Sequence, residues 1–347
     1  MPTVKYYVDD LRGRDLITTQ EWSIDEIRTA MNLARELKHT VYTKGLDGLP
    51  KYLERKTFVM LFFAPSTRTR SAFETGMTML GGHAQYVESR MTRVEEGEAI
   101  KDLAKMYEIY GDAIGIRILD KAIDYVYGRG NAVIREFAEH VRVPIINMAD
   151  DMYHPTQAIG DMVTIENKLG KLKGRKYVIM WGYAPVIRGR CSIQAEMLLA
   201  ARLGMDVVVA HPEGFDLDPK IVETAKRNAK ESGGSLEFSN DYREALDGAH
   251  VVFPRSWCTV KLAERGASKF GEEELKIYAK YRDWRLKMED LDRMDKHGIV
   301  THVLPVLRGN EADDEVMDSE RSVIYEQAED NMYAKAAVLV LTMGGIR

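Results

Sequence analysis

Two arginines interleaved with hydroxyl residues, in the order Ser66-Thr67-Arg68-Thr69-Arg70, follow Pro65 and an apolar run and directly precede a helical pattern. These are the groups that hold a tetrahedral oxyanion. A helix start offers free backbone N–H groups and a partial positive charge, hydroxyls donate, and a guanidinium grips a phosphate through two parallel bonds. Ser and Thr are also ordinary helix caps, so the motif alone leaves both readings open. His154-Pro155-Thr156-Gln157 opens a second helical pattern. His154 can donate to a polarised carbonyl oxygen, and Gln157 carries the donor and acceptor that read an amide edge; a plain turn is the alternative. Arg117 ends the apolar run Ile114-Gly115-Ile116, and His302-Val303-Leu304-Pro305 with Arg308 follows another. Arginines, histidines, a glutamine and hydroxyls, with no carboxylate cluster for a metal, are suited to holding and polarising a small oxyanion. Neither a metal nor a cofactor is expected.

Each of these groups falls just beyond a predicted strand, at the end of a parallel α/β sheet where ligands bind. The strands are read at 57–63, 84–87, 113–118, 143–147, 176–181, 206–210, 235–238, 251–253 and 299–302. Helical periodicity covers 22–37 (with Ser23 and Glu26 in capping-box spacing), 72–80, 100–110, 131–138, 158–169, 192–203 and 219–232. The stretch 261–297 is polar and helical, and 330–343 reads as an amphipathic terminal helix. Strands alternating with helices imply βαβ units and parallel sheets. The series pauses near 148–155, which divides the chain into two parallel-sheet α/β domains, 1–150 and 151–327, with the final helix, 328–347, completing the first.

The 347 residues suffice for two domains, and 45% hydrophobic with 30% charged residues is the balance of a globular protein with a full core. A net charge of -5, from 49 basic against 54 acidic residues, argues against a nucleic-acid partner. Cys191 and Cys258, far apart and in no metal-binding spacing, fit a reducing cytoplasm. There is no secretory pattern and no apolar run of ~18 residues, so no membrane partner is expected. A dinucleotide-binding reading fails because Gly182-Tyr183-Ala184-Pro185, not G-x-G-x-x-G, follows the strand at 176–181.

Over essentially its full length the chain resembles the aspartate/ornithine carbamoyltransferases. The resemblance rests on Phe63-Ala64-Pro65-Ser66-Thr67-Arg68-Thr69-Arg70 and its spacing to Arg117, His154-Pro155-Thr156-Gln157 and His302-Val303-Leu304-Pro305. It implies a trimer, or a dimer of trimers, of two-domain subunits that bind carbamoyl phosphate between the domains. An amine attacks the carbonyl of that donor and phosphate leaves. By resemblance Ser66, Thr67, Arg68 and Thr69 hold the phosphate, and Arg117 bridges phosphate and carbonyl. Thr69, Arg117 and His154 stabilise the carbonyl oxygen. Gln157 and the Leu304 carbonyl, flanked by Val303, read the carbamoyl amide, with Arg308 beside them. Arg117, His154, Gln157 and Arg308 are thus the implied catalytic set.

The acceptor amine is less plainly written. Ornithine enzymes carry Cys where Val303 stands, and a Ser-Met-Gly loop with an Asp where this chain has Phe253-Pro254-Arg255-Ser256-Trp257-Cys258. Trp181-Gly182-Tyr183-Ala184-Pro185, 211–217, 232–235 and Pro254-Arg255-Ser256-Trp257 are similar to the knotted transcarbamylases. That branch includes the N-acetylornithine and N-succinylornithine enzymes and the YgeW-like proteins, the last being nearest. It implies a deep trefoil knot in the second domain. Trp181, Tyr183, Arg255, Ser256 and Trp257 become acceptor-binding candidates. Arg93, on the charged loop 83–100 that reaches a neighbouring subunit in this family, joins them. The expected function is transfer of a carbamoyl group to a small amino-acid-like amine. Ornithine carbamoyltransferase proper, or a catalytically silent phosphate-binding homologue, is the alternative.

Overall fold

A strand followed by a helix returns the chain to the end from which the strand began, so βαβ alternation leads to parallel pairing. The computed structural model describes residues 5–8 and 10–346. Two units emerge: residues 1–123, 128–163 and 328–347 form unit 1, and 124–127 with 164–327 form unit 2.

Unit 1 runs α1 (Ile24–Lys44), β1 (Thr57–Phe62), α2 (Thr67–Met79), β2 (His83–Glu88), α3 (Ile100–Tyr110), β3 (Ala113–Arg117), α4 (Arg129–His140), β4 (Ile145–Ala149) and the first part of α5 (Pro155–Leu169). Ser23 opens α1 with the expected reciprocal capping box to Glu26, a device worth about 1 kcal/mol against Ala. The four strands are parallel, in the order β2-β1-β3-β4. The central β1 is buried on both faces apart from its first residue. On one face Val59, Leu61, Ile114 and Ile116 pack with Leu103 and Tyr107 of α3 and Ile134 and Phe137 of α4. Phe58 of β1 meets Phe73 of α2, with ring centroids 5.2 Å apart. Strand order reverses between β1 and β3, so the connections leaving their paired carboxyl ends run in opposite directions and leave the crevice in which such sheets bind ligands.

Unit 2 continues with β5 (Lys176–Trp181), α6 (Cys191–Arg202), β6 (Asp206–Ala210), α7 (Pro219–Ser232), β7 (Ser235–Ser239), α8 (Tyr242–Leu246), β8 (Val251–Arg255), α9 (Val260–Arg265), α10 (Ala267–Tyr278), β9 (Ile299–Val300) and α11 (Asp314–Met317). Its five parallel strands are ordered β7-β6-β5-β8-β9. Here the reversal lies between β5 and β8, whose last residues, Trp181 and Arg255, are in register. The final helix α12 (Ile324–Leu339) enters unit 1 at residue 328.

Several elements differ from the pattern reading, each for a physical reason. Helix α2 starts at Thr67 rather than 72, because Ser66 caps it and draws the Thr-Arg-Thr-Arg segment into its first turn. The stretch 261–297 breaks into α9, α10 and 3-10 turns, since Gly266, at φ 85°, ends α9. Strand β9 stops at Val300, leaving Thr301 and His302 in the following loop. Helix α12 is not amphipathic: every residue from Tyr333 to Met343 is buried. Unit 1 runs past the boundary expected at 150, to Val163, so the His154–Gln157 turn shares a unit with Arg68 and Arg117. Among the described residues no helix is long and apolar enough to cross a membrane.

Candidate active site

In unit 1 the site residues converge on the two strands that flank the reversal. Ser66 is the N-cap of α2, its Oγ accepting the Thr69 N–H at 3.2 Å. A first helical turn has N–H groups without intrahelical acceptors, and this one carries Thr67 and Arg68, both exposed. Thr69 is buried, and its Oγ1 accepts Arg117 Nη1 at 3.4 Å. Arg117 Nη1 also approaches the Met148 carbonyl at 3.5 Å, so the last residue of β3 is drawn toward α2 and β4. Arg70 turns another way: it pairs with Glu74 at 2.9 Å and lies 3.8 Å from the centroid of the Tyr86 ring. Of the two interleaved arginines, Arg68 is the one the helix start presents.

The turn before α5 is built on a buried carboxylate. Asp150 Oδ1 accepts the N–H groups of Met152 and Tyr153, and Oδ2 accepts the side chains of Asn131 at 2.7 Å and Asn147 at 2.9 Å. Burial, helped by neighbouring Asp151, pushes Asp150 up to about 7 despite those donors. This turn delivers His154, just before α5, and Gln157, on its first turn, both buried. His154 is driven well below its ordinary 6.5 by burial and then by the positive charges of Lys335 and Arg117. Its imidazole is therefore neutral at physiological pH, and its buried Nδ1 has no hydrogen-bond partner among the described residues. Gln157 Nε2 donates to Asp161 Oδ2 at 3.1 Å.

Unit 2 gathers a second set at the ends of β5, β8 and β9. The Trp181 and Trp257 rings are wholly buried and belong to the core, a correction to their reading as acceptor-facing aromatics. Trp181 packs on Phe215 and Tyr278 and donates from Nε1 to the Trp257 carbonyl at 2.9 Å; Trp257 donates in turn to the Phe215 carbonyl at 2.7 Å. Tyr183 remains half-buried at the start of the next loop. Arg255 and Ser256 are held by Glu311, which is fully buried. Glu311 Oε1 lies 3.3 Å from Arg255 Nη1 and accepts the Ser256 N–H at 3.0 Å; Oε2 accepts the Leu307 N–H at 2.9 Å. His302 Nε2 stands 3.4 Å from Oε2, while its Nδ1 accepts the Leu304 N–H at 2.8 Å. One carboxylate thus ties the loop after β8 to the loop after β9, where Val303 and Leu304 are half-buried and Leu304 has φ 50°.

Arg308 is not presented beside the Leu304 carbonyl as a free guanidinium. It grips Asp318 through two bonds of 2.7 Å and approaches Asp314 at 3.4 Å, acids that follow it on and beyond α11. Arg93 is exposed and pairs with Glu96, and Arg90 pairs with Glu88. The residue reading missed Glu311 and Arg188. Arg188, in the loop after β5, is half-buried with an unpartnered buried Nε, and Arg255 stands among the charges that act on it. Neither lay in a motif; a lone Glu seven residues past Leu304 gives no signal until the two loops are brought together.

Residues 14–167 match the family model for the carbamoyl-P binding domain of aspartate/ornithine carbamoyltransferase, and 174–342 match that for its Asp/Orn binding domain. The anabolic ornithine carbamoyltransferase of Pyrococcus furiosus is 37% identical over 341 residues, 98% of this chain and 99% of that one. The ornithine carbamoyltransferase of Anoxybacillus flavithermus is 35% identical, covering 95% of this chain and 96% of its own length. Among solved structures, ornithine carbamoyltransferase from Pyrococcus furiosus superposes with a TM-score of 0.84 at 36% identity, over 98% of this chain and 100% of that one. Acetylornithine transcarbamylase complexed with acetylcitrulline gives 0.86 at 29% identity, over 95% and 99%.

The Glu311 hub has a measurable weight. Burial alone would raise its pKa, but Arg255 and His302 outweigh burial and hold the carboxyl at about 2, against an ordinary 4.5. A depressed carboxylate stabilises fully above its unfolded pKa, and that contribution is lost as pH falls toward the folded value. Glu311→Gln is expected to cost on the order of 2–4 kcal/mol at pH 7, read by urea unfolding with tryptophan fluorescence. The gap from the unsubstituted protein should narrow once pH drops below 4.5. A gap that stays constant down the acid range would contradict the ionised hub.

Proposed function

The chain belongs to the aspartate/ornithine carbamoyltransferase family and is a carbamoyltransferase, and we propose that it transfers the carbamoyl group of carbamoyl phosphate to the side-chain amine of an ornithine-type amino acid. The observation that carries this reading is the assembly, in one unit, of the α2 N-terminus, Arg117, His154 and Gln157 around the reversal between β1 and β3.

In this reading Ser66, Thr67, Arg68 and Thr69 take the phosphate. Ser66 Oγ accepts from Thr69 N–H, which leaves its own proton to donate. Arg117 reaches from the phosphate to the carbonyl oxygen. His154, neutral, donates an N–H to that oxygen without becoming an acid, and Thr69 and Arg117 share the growing charge. Gln157 Oε1 accepts from the carbamoyl –NH2. The acceptor nitrogen bonds to the carbonyl carbon, the carbon–oxygen bond to phosphate breaks, and the departing phosphate takes the ammonium proton. Positioning and electrostatics carry the step. Arg308, engaged by Asp318 through two bonds, takes no part in this reading.

Arg255 and Arg188, with Tyr183 and Ser256 nearby in the chain, favour an acceptor that bears a carboxylate. Ornithine enzymes among the relatives and acetylornithine transcarbamylase among the structural neighbours support the ornithine skeleton. Val303 in place of Cys sets the chain apart from plain ornithine enzymes. The knotted branch carries the proposal that the loop after β5 is threaded by the segment near Ser256. Its support is the close bonding of the two segments: Arg190 Nε and Nη2 both donate to the Cys258 carbonyl at 3.1 Å. We also infer a cytoplasmic homotrimer in which Arg93 serves the neighbouring subunit.

Incubation with carbamoyl phosphate and a panel of ornithine, N-acetylornithine, N-succinylornithine and aspartate, read by mass spectrometry, should give a ureido product from an ornithine derivative and none from aspartate. Arg68→Ala should raise the donor KM about 10–100-fold. No product from any amine, or an unchanged donor KM, would overturn the assignment. Sedimentation should show three chains per particle; a monomer at working concentration would remove the shared-site role of Arg93.

A further inference from the structure

A glutamine amide has a donor end and an acceptor end, and only the acceptor end complements a carbamoyl –NH2. Which end Gln157 offers is decided behind it. Its Nε2 donates to Asp161 Oδ2 at 3.1 Å, and Asn331 Nδ2 donates to the other carboxylate oxygen, Oδ1, at 2.5 Å. Asn331 Oδ1 accepts from Lys335 Nζ at 3.0 Å, and the same ammonium reaches the Asn331 carbonyl at 3.2 Å. We propose that Asp161, Asn331 and Lys335 form a positioning relay that fixes the direction of the Gln157 amide, so that the enzyme selects an –NH2 beside the donor carbonyl over an isosteric methyl group. This inference deepens the carbamoyl-phosphate reading and rests on it.

The polarity of the chain follows from its members. An ammonium can only donate and an ionised carboxylate can only accept. With Lys335 at one end, Asn331 must turn its oxygen to the lysine and its –NH2 to Asp161. With Asp161 in the middle, Gln157 must turn its –NH2 inward, and Oε1 makes no hydrogen bond among the described residues. Burial makes this direction costly to reverse: Lys335 is 4% exposed, Gln157 7% and Asp161 1%. A flipped amide would set a carbonyl oxygen against a carboxylate in a low-dielectric interior. Gly160 shows that the approach is built in. A Cβ there would stand 2.7 Å from Asn331 Cα, so only glycine lets α12 bring Asn331 this close to α5. A lysine inside the apolar run Tyr333–Met343 is itself costly to bury unless paired, as this one is. The Phe73 ring, 6.0 Å from Nζ, adds a weak cation–π contact.

The test compares two stable donor analogues, phosphonoacetamide and its methyl-ketone counterpart, by calorimetry, with inorganic phosphate as a control. The unsubstituted enzyme should prefer the amide. Asp161→Asn can no longer accept from both amides, and is expected to lower that preference about tenfold. Because a negative charge has been removed near the phosphate site, phosphate itself should bind at least as tightly, which a merely damaged fold would not do. Lys335→Met acts at the far end of the relay and should lower the preference about threefold; it decides the matter if Asp161→Asn does not fold. An undiminished preference in the folded variants would overturn the relay and leave the carbamoyl-phosphate reading standing. Failure of the unsubstituted enzyme to bind the amide would remove that reading, and the relay with it.

Discussion

Three basic side chains from three separate elements cluster in unit 1, and burial with neighbouring positive charge weakens two of them, His154 and Lys335, as bases. Arg117 closes β3, His154 opens α5, and Lys335 arrives on the last helix. Burial first, then the charges of Lys335 and Arg117, strip His154 of its proton; burial, opposed by Asp161 and reinforced by Arg117, brings Lys335 down to about 8. Assembling like charges in a buried place is unfavourable unless something negative completes the cluster. Asp161 supplies part of that completion. A dianionic donor at the α2 N-terminus would supply the rest, and the repulsion then becomes affinity for one class of ligand.

The fold makes this arrangement possible by placing a strand-order reversal in each unit. In unit 1 the reversal separates β1 from β3, and the residues proposed to bind the donor stand at or beyond their carboxyl ends. In unit 2 it separates β5 from β8; Arg255 ends β8, and Tyr183, Arg188 and Ser256 follow the two strands. Both units also use a buried carboxylate to organise a loop. Asp150 ties the turn before His154, and Glu311 ties the β8 and β9 loops. Their charge states differ for a physical reason. Burial, with a second acid beside it, pushes Asp150 up, whereas burial of Glu311 is outweighed by the arginine and histidine it faces, which hold it down.

Much of this was legible along the chain, because strand and helix periods are local. The strands Lys176–Trp181 and Asp206–Ala210 and the helices Ile100–Tyr110 and Pro219–Ser232 have the bounds their apolar patterns gave. What the pattern could not show depended on distant partners. Trp181 and Trp257 read as ligand-facing aromatics until each was seen to bury its ring and bond a backbone carbonyl of the same unit. Arg308 read as free because the acid that grips it, Asp318, lies ten residues on, beyond a helix four residues long. The Gln157–Asp161 spacing of four was visible as a helix-face pair. Its continuation to Asn331, 170 residues away, was not.

A donor that completes the basic cluster must raise its weakest base, and proton linkage reports that completion directly. At pH 8 Lys335 is close to half protonated, whereas His154 is neutral and the phosphate group of carbamoyl phosphate is already dianionic. Binding of freshly dissolved carbamoyl phosphate, followed by calorimetry in buffers of different ionisation enthalpy, should draw up to about half a proton per site as the dianion raises the lysine. Tight binding with no proton uptake would show that the donor does not reach this cluster, and would contradict the account.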